Sequence, residues 1–116
     1  MKNFNKIILS LGSNIGDKKS NLETAIIQID KFSTIKKISS IYESEPILLK
    51  DQDNFFNLVL EIDYKKSVIE LLKSTKDVER RMGRKKTVKY GPRIIDIDII
   101  FFNNQLVNSK DLVVPH

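Results

Sequence analysis

The chain alternates between short apolar runs with a period of two and longer segments with helical spacing. Ile7 to Leu11 is apolar and stops at Gly12, which predicts a first strand. Gly12-Ser13-Asn14 and Gly16-Asp17 make a turn cluster, most simply the lead-in to a helix. Ser20-Asn21-Leu22-Glu23 fits a capping box, in which serine and glutamate satisfy each other's orphan amides. Leu22, Ala25, Ile26 and Ile29 follow at helical spacing, so the first helix is expected to end near Phe32. Ile35 to Glu45 reads as a second strand closed by Pro46. Phe55 to Tyr64 alternates, with Phe56, Leu58, Leu60, Ile62 and Tyr64 on a greasy face and Phe55, Asn57, Val59, Glu61 and Asp63 on a mixed one. Ser67-Val68-Ile69-Glu70 is a second capping box; Val68, Leu71, Leu72, Val78 and Met82 then give a second helix, with Gly83 as its stop. A basic loop from Arg84 to Pro92 leads into a last strand, Ile94 to Phe102. Asn103-Asn104 turns the chain, and Gln105 to His116 carries few signals.

The order is βαββαβ. Two helices must bury their apolar stripes, and one sheet face can receive both. The expected fold class is α+β: a ferredoxin-like sandwich with an antiparallel four-stranded sheet, helices on one face, and residues 1–116 as a single domain. On the last strand, Ile95, Ile97, Ile99 and Phe101 would face the helices. Ile94, Asp96, Asp98, Ile100 and Phe102 would face away. If Phe55 and Asn57 share that open face, an aromatic ring, an amide and two carboxylates converge on it.

Asp96 and Asp98 are the only polar residues in the nine-residue run from Ile94 to Phe102. Two apart on a strand, they point the same way, at the heart of a sheet. Close negative charges without a partner repel, so a cation belongs there, and a hard metal ion is the simplest. Mg²⁺ is usually held by one or two carboxylates, water and substrate phosphates. Arg84, Lys85, Lys86, Lys89 and Arg93 lie beside the pair and suit a polyphosphate. Metal-binding carboxylates with cations for phosphate are the toolkit of phosphoryl transfer. There is no Walker loop, so this would not be a P-loop enzyme. A chance Asp-x-Asp on a surface is the bland alternative. Phe55 alone would be read as core, and Asn57 alone as a satisfier of backbone amides.

Composition narrows the classes. At 116 residues, 41% hydrophobic and 30% charged, the chain is long enough for a real core. No run is long enough to span a membrane, and the polar start does not suit a signal peptide. Cysteine is absent, which excludes thiolate metal sites and disulfides. These points favour a cytoplasmic protein. The net charge of +5 is mostly lysine, which scattered solvated side chains explain. The four arginines, Arg80, Arg81, Arg84 and Arg93, instead fall in one window. That clustering suggests either a use for the guanidinium fork or an exposed helix end.

Five motifs occur in order: Leu11-Gly12-Ser13-Asn14-Ile15-Gly16-Asp17; Ser39-Ser40-Ile41-Tyr42 leading to Glu45-Pro46; Phe55-Phe56-Asn57; Gly91-Pro92-Arg93-Ile94-Ile95-Asp96-Ile97-Asp98; and Val114-Pro115-His116. Together they closely resemble the 6-hydroxymethyl-7,8-dihydropterin pyrophosphokinases of folate synthesis. The resemblance implies transfer of diphosphate from ATP to the pterin hydroxymethyl group, with release of AMP. It implies that Asp96 and Asp98 hold two Mg²⁺ ions and that Arg84 and Arg93 act on the phosphates. Ser44, Ile47, Phe55 and Asn57 match pterin-pocket positions, with Phe55 stacking on the ring and Asn57 bonding its edge. Glu79, Lys86, Tyr90, Arg93, Ile99 and His116 match ATP contacts. The expected partners are ATP and the pterin, with neither nucleic acid nor membrane, and a monomer is expected.

The sequence also departs from the family pattern. Members usually continue beyond the Val-Pro-His motif with an arginine for ATP and a second aromatic for the pterin. Lys86 and Tyr90 stand where arginine and tryptophan are common, and Asp111 and Val113 differ from the usual basic and hydroxyl residues. A half-open pterin pocket and a weaker grip on ATP are therefore expected. The alternative reading is a non-catalytic module that binds ATP or pterin. A small RNA-binding sheet is a third, disfavoured because the presumed open face is acidic.

Overall fold

The computed structural model describes residues 6–46, 51–83, 93–103, 107–108 and 113–114, the last two pairs as backbone only. The elements are β1 (Ile7–Ser13), α1 (Lys18–Asp30), β2 (Thr34–Ile38), β3 (Tyr42–Ser44), β4 (Phe55–Asp63), α2 (Val68–Arg81), β5 (Asp96–Phe102), β6 (Val107–Asn108) and β7 (Val113–Val114). The fold is α+β, with an antiparallel five-stranded sheet in the order β2-β4-β1-β5, β3 also pairing with β4. β6 and β7 form a separate two-stranded ladder in the tail, where the sequence pattern predicts no element. No helix among the described residues is long and apolar enough to cross a membrane.

Alternation places the core. Ile7, Leu9 and Leu11 of β1, Leu58, Leu60 and Ile62 of β4, and Ile97 and Ile99 of β5 are buried together with Ile95, just before β5. Leu22, Ala25 and Ile29 of α1 and Val68, Leu71 and Val78 of α2 join the same cluster. Burying each such Leu, Ile or Val contributes about 1.5–3 kcal/mol. The opposite sheet face, with Ser10 and Gly12 on β1, is left for other work.

The expected second strand is two strands, which raises the count from four to five. Ser39 explains the break. Its N–H donates to the Val59 carbonyl at 2.9 Å, while its Oγ accepts from the Val59 N–H at 2.8 Å. A side chain thus takes over a bond that the ladder would supply. The outer chain advances four residues, Ile38 to Tyr42, while β4 advances three, Leu60 to Asn57, so one residue bulges out.

Two further expectations are corrected. The carboxylate strand is not at the heart of the sheet: among the described residues β5 pairs only with β1 and forms the edge. Phe102, not Phe101, is the buried aromatic of β5, at 2% exposure. Ile8 pairs with Phe101 and Leu9 with Ile99, so Ile100 is an extra residue and the alternation inverts after it.

The helix starts differ from each other. Ser67 caps α2 as expected: its Oγ accepts from the Glu70 N–H at 3.2 Å and lies 3.3 Å from Glu70 Oε1. The Ser20 box does not form. α1 begins at Lys18, and Asp17 Oδ1 accepts from the Ser20 N–H at 3.1 Å. An aspartate at the N-cap also meets the positive end of the helix dipole. Gly83 follows α2 with a φ of 88°, the left-handed stop that glycine accepts most readily.

Candidate functional site

The open face of the sheet is organised by register. Gly12 pairs with Asn57 on one side and Asp96 on the other. Ser10 likewise pairs with Val59 and Asp98, and Ser44 pairs with Phe55. Paired residues share a face, so the ring, the amide and both carboxylates converge, as the alternation predicts. With strands about 4.8 Å apart, Asn57 and Asp96 stand roughly 10 Å apart across Gly12. Ser10, Gly12, Ser44, Glu45, Phe55, Asn57, Asp96 and Asp98 line an open cavity of about 200 Å³.

Gly12 allows a close approach. A Cβ there would lie 3.1 Å from Asn57 Oδ1 and 3.3 Å from Phe55 Cδ1. Asn57 is held by its amide nitrogen, which donates to Ser44 Oγ at 2.9 Å, the Tyr42 carbonyl at 3.2 Å and the Phe55 carbonyl at 3.4 Å. Two carbonyls accept only, so they require nitrogen on that side. Asn57 Oδ1 consequently lies over Gly12, inside the cavity lining.

Asp96 and Asp98 are half-buried, while Ile95, Ile97 and Ile99 are core. Between the two aspartates, the Ile97 N–H donates to Glu79 Oε2 at 2.7 Å. Glu79 reaches there from α2 and is 3% exposed. Both aspartates line the open cavity, where a ligand can reach them. Among the described residues no group of three or more His, Cys, Asp or Glu side chains could hold a metal. Two carboxylates on an open cavity fit Mg²⁺, whose remaining positions go to water and phosphate, better than a metal that needs a full protein cage.

The other expected site residues divide. Arg93 is at the approach to β5, its main chain bonded to Asn14: the Arg93 N–H donates to Asn14 Oδ1 at 2.7 Å and the Arg93 carbonyl accepts from the Asn14 N–H at 3.0 Å. Ile99 is buried in the core and pairs with Leu9 of β1. Ile47, Arg84, Lys86, Tyr90 and His116 lie outside the described residues. Arg80 and Arg81 pair with Asp77 at the end of α2, the latter at 2.9 Å, so these two fit the exposed-helix-end reading. Ser10, Gly12 and Glu45 line the cavity without a site role expected from the sequence; Ser10 lies outside the motifs, and Gly12 and Glu45 lie within them. The alternation of β1 carries the signal for two of them: with Ile7, Leu9 and Leu11 inward, Ser10 and Gly12 must face outward.

The model of the 7,8-dihydro-6-hydroxymethylpterin-pyrophosphokinase family matches residues 8–116. The chain is 39% identical over 110 residues to the 2-amino-4-hydroxy-6-hydroxymethyldihydropteridine pyrophosphokinase of Bacillus subtilis, covering 93% of this chain and 66% of that protein. It is 43% identical over 110 residues to the protein of the same name from Aquifex aeolicus, covering 95% and 69%. It is 43% identical over 115 residues to the folic acid synthesis protein fol1 of Schizosaccharomyces pombe, covering 97% and 16%. The chain thus spans roughly two thirds of the bacterial relatives and a sixth of the third. The family match begins at the second residue of β1 and takes in every described residue of the open face, and the chain belongs to the 7,8-dihydro-6-hydroxymethylpterin-pyrophosphokinase family.

Proposed function

We propose that this chain transfers diphosphate from ATP to the hydroxymethyl group of 6-hydroxymethyl-7,8-dihydropterin and releases AMP. The observation that carries the reading is the row Asn57–Gly12–Asp96, which sets a ring-recognition end beside a pair of carboxylates on one open face. The architecture supports it. The order β2-β4-β1-β5, with both helices on the other face, is read here as ferredoxin-like.

Each side chain has a role in this reading. Phe55 offers its ring for stacking on the pterin. Asn57 Oδ1, oriented by Ser44 and Tyr42, accepts from a ring N–H. Asp96 and Asp98 would hold magnesium, which when bound supplies charge neutralisation to the triphosphate. Arg93, with Arg84, bonds phosphate oxygens and balances the charge that develops on them. The hydroxymethyl oxygen forms a bond to the β-phosphorus, the bond from that phosphorus to the α–β bridging oxygen breaks, and AMP departs with that oxygen. The hydroxyl proton passes to solvent. The same carboxylates disfavour RNA on this face, since they repel its phosphates.

Asp98→Ala tests the reading. AMP release from ATP plus the pterin should fall below detection while circular dichroism stays unchanged. Wild-type turnover in that variant would refute the assignment. Binding of ATP and pterin by the wild type without AMP would overturn transfer and leave a binding module.

A further inference from the structure

Asn14 stands at the end of β1 and is 2% exposed. Its main-chain N–H and both side-chain polar atoms are engaged. The N–H donates to the Arg93 carbonyl at 3.0 Å, and Oδ1 accepts from the Arg93 N–H at 2.7 Å. Nδ2 donates to Gln52 Oε1 at 2.7 Å and to the Asp53 carbonyl at 3.1 Å. An N–H on one side and a carbonyl on the other leave the amide one orientation that satisfies both.

These partners belong to the two halves of the open face. Arg93 is the approach to the strand that carries Asp96 and Asp98. Gln52 and Asp53 are the approach to the strand that carries Phe55 and Asn57. A single buried amide therefore ties the phosphate-side approach to the ring-side approach, across sequence separations of 79 and 38 residues. Lys18 adds a second tie to the ring side, donating to the Asn54 carbonyl at 3.1 Å.

We propose that Asn14 is a positioning residue that sets the Arg93 main chain through Oδ1 and the ring-side approach through Nδ2, and so couples the two ends of the site. This rests on the reading given above for the open face. The two functions sit on different atoms of one side chain and can be separated. Asn14→Asp keeps an oxygen for the Arg93 N–H but turns a carboxylate oxygen toward the Asp53 carbonyl. The Asp53 carbonyl can only accept, so that contact turns repulsive. Asn14→Ala removes both functions.

Steady-state AMP release by the intact protein tests the proposal. In Asn14→Asp, kcat should stay near the wild-type value while KM for the pterin rises about tenfold, the worth of roughly one hydrogen bond. In Asn14→Ala, kcat should also fall by about 100-fold, as expected when a catalytic group is misplaced by about 1 Å. Gln52→Ala should raise the pterin KM and spare kcat. Equal kcat and KM in the Asp and Ala variants, or a wild-type-like Asn14→Ala, would overturn the proposal. If Asn14→Ala does not fold, Asn14→Asp and Gln52→Ala decide it, and a loss of kcat with unchanged KM in either would sink it. Amide hydrogen exchange separates this idea from the assigned activity. Even if the wild type releases no AMP, protection of the Arg93 N–H should fall in Asn14→Ala and persist in Asn14→Asp. Unchanged protection in Asn14→Ala would overturn the positioning claim alone.

Discussion

The buried carboxylate of Glu79 accepts the Ile97 N–H at 2.7 Å, from the helix behind the sheet to the one residue between Asp96 and Asp98. Among the described residues β5 pairs only with β1, so its outward N–H groups need partners other than a neighbouring strand. Glu79 supplies one between the two aspartates. Removing it strands a buried N–H and opens a cavity, so Glu79→Ala should lose about 2–4 kcal/mol of stability in urea unfolding. Glu79→Gln keeps an acceptor oxygen and should lose less than half of that. The resemblance assigns Glu79 to the nucleotide. If that were its whole role, both variants would raise KM for ATP and neither would destabilise the fold.

On the proposed reading, Gly12 sets the depth of the seat for the pterin ring. A methyl group there meets Asn57 Oδ1 at 3.1 Å, and Asn57 cannot retreat without releasing Ser44 and Tyr42. Alanine suits a strand better than glycine, so Gly12→Ala should leave the melting temperature little changed. Pterin affinity by calorimetric titration should fall about tenfold or more, since packing tolerates little added volume. An unchanged affinity would place the ring elsewhere.

Much of this was legible in the chain because local pattern coincided with tertiary environment. Asp96 and Asp98 stood out as the only charges in an apolar strand, and the alternation of residues 55–63 gave the face that Asn57 shares with them. What failed did so where a distant partner overrides local pattern. Ser39 breaks the second strand only because Val59 is there to accept from its N–H and donate to its Oγ. Asn14 reads as part of a turn because its partners are 38 or more residues away. Ser20 loses the cap to Asp17 because each can satisfy the first turn and only the start of α1 decides between them.

That competition for the cap is measurable. Asp17→Ala and Ser67→Ala each remove the acceptor at a helix start and should each cost about 1 kcal/mol. Ser20→Ala should be close to neutral. A larger loss in Ser20→Ala than in Asp17→Ala would restore the capping box that the sequence suggests.

The four arginines separate by partner. The Arg80 guanidinium, by its hydrogen bond, and then the charges of Arg81 and Arg80 hold the Asp77 carboxyl below its ordinary value despite some opposing desolvation. A depressed folded pKa means that the contribution is present above the unfolded pKa and is lost as pH falls through the folded one. The group is exposed, so its effect on stability should be small and should shrink with salt. Asp77→Asn should therefore leave the melting temperature unchanged at neutral pH, and any difference from wild type should vanish below the carboxylate range. Arg80→Ala and Arg81→Ala should leave AMP release unchanged, whereas Arg93→Ala should reduce kcat about 100-fold or more, the scale of losing one electrostatic stabiliser.

The bulge in β5 makes the sharpest test of the register. Phe102 pairs with Ile7, and both are buried at 2% exposure, whereas Phe101 lies on the half-exposed side. Strict alternation from Ile95 would give the opposite assignment. Phe102→Ala empties a core position and should cost about 3–5 kcal/mol. Phe101→Ala removes a partly solvated ring and should cost less than half as much. Equal costs, or a larger one at Phe101, would mean that Ile100 is not the extra residue. The two aspartates precede the bulge, so their shared face does not depend on it. Catalysis in Phe101→Ala should then be retained, while stability reports which phenylalanine the core has taken.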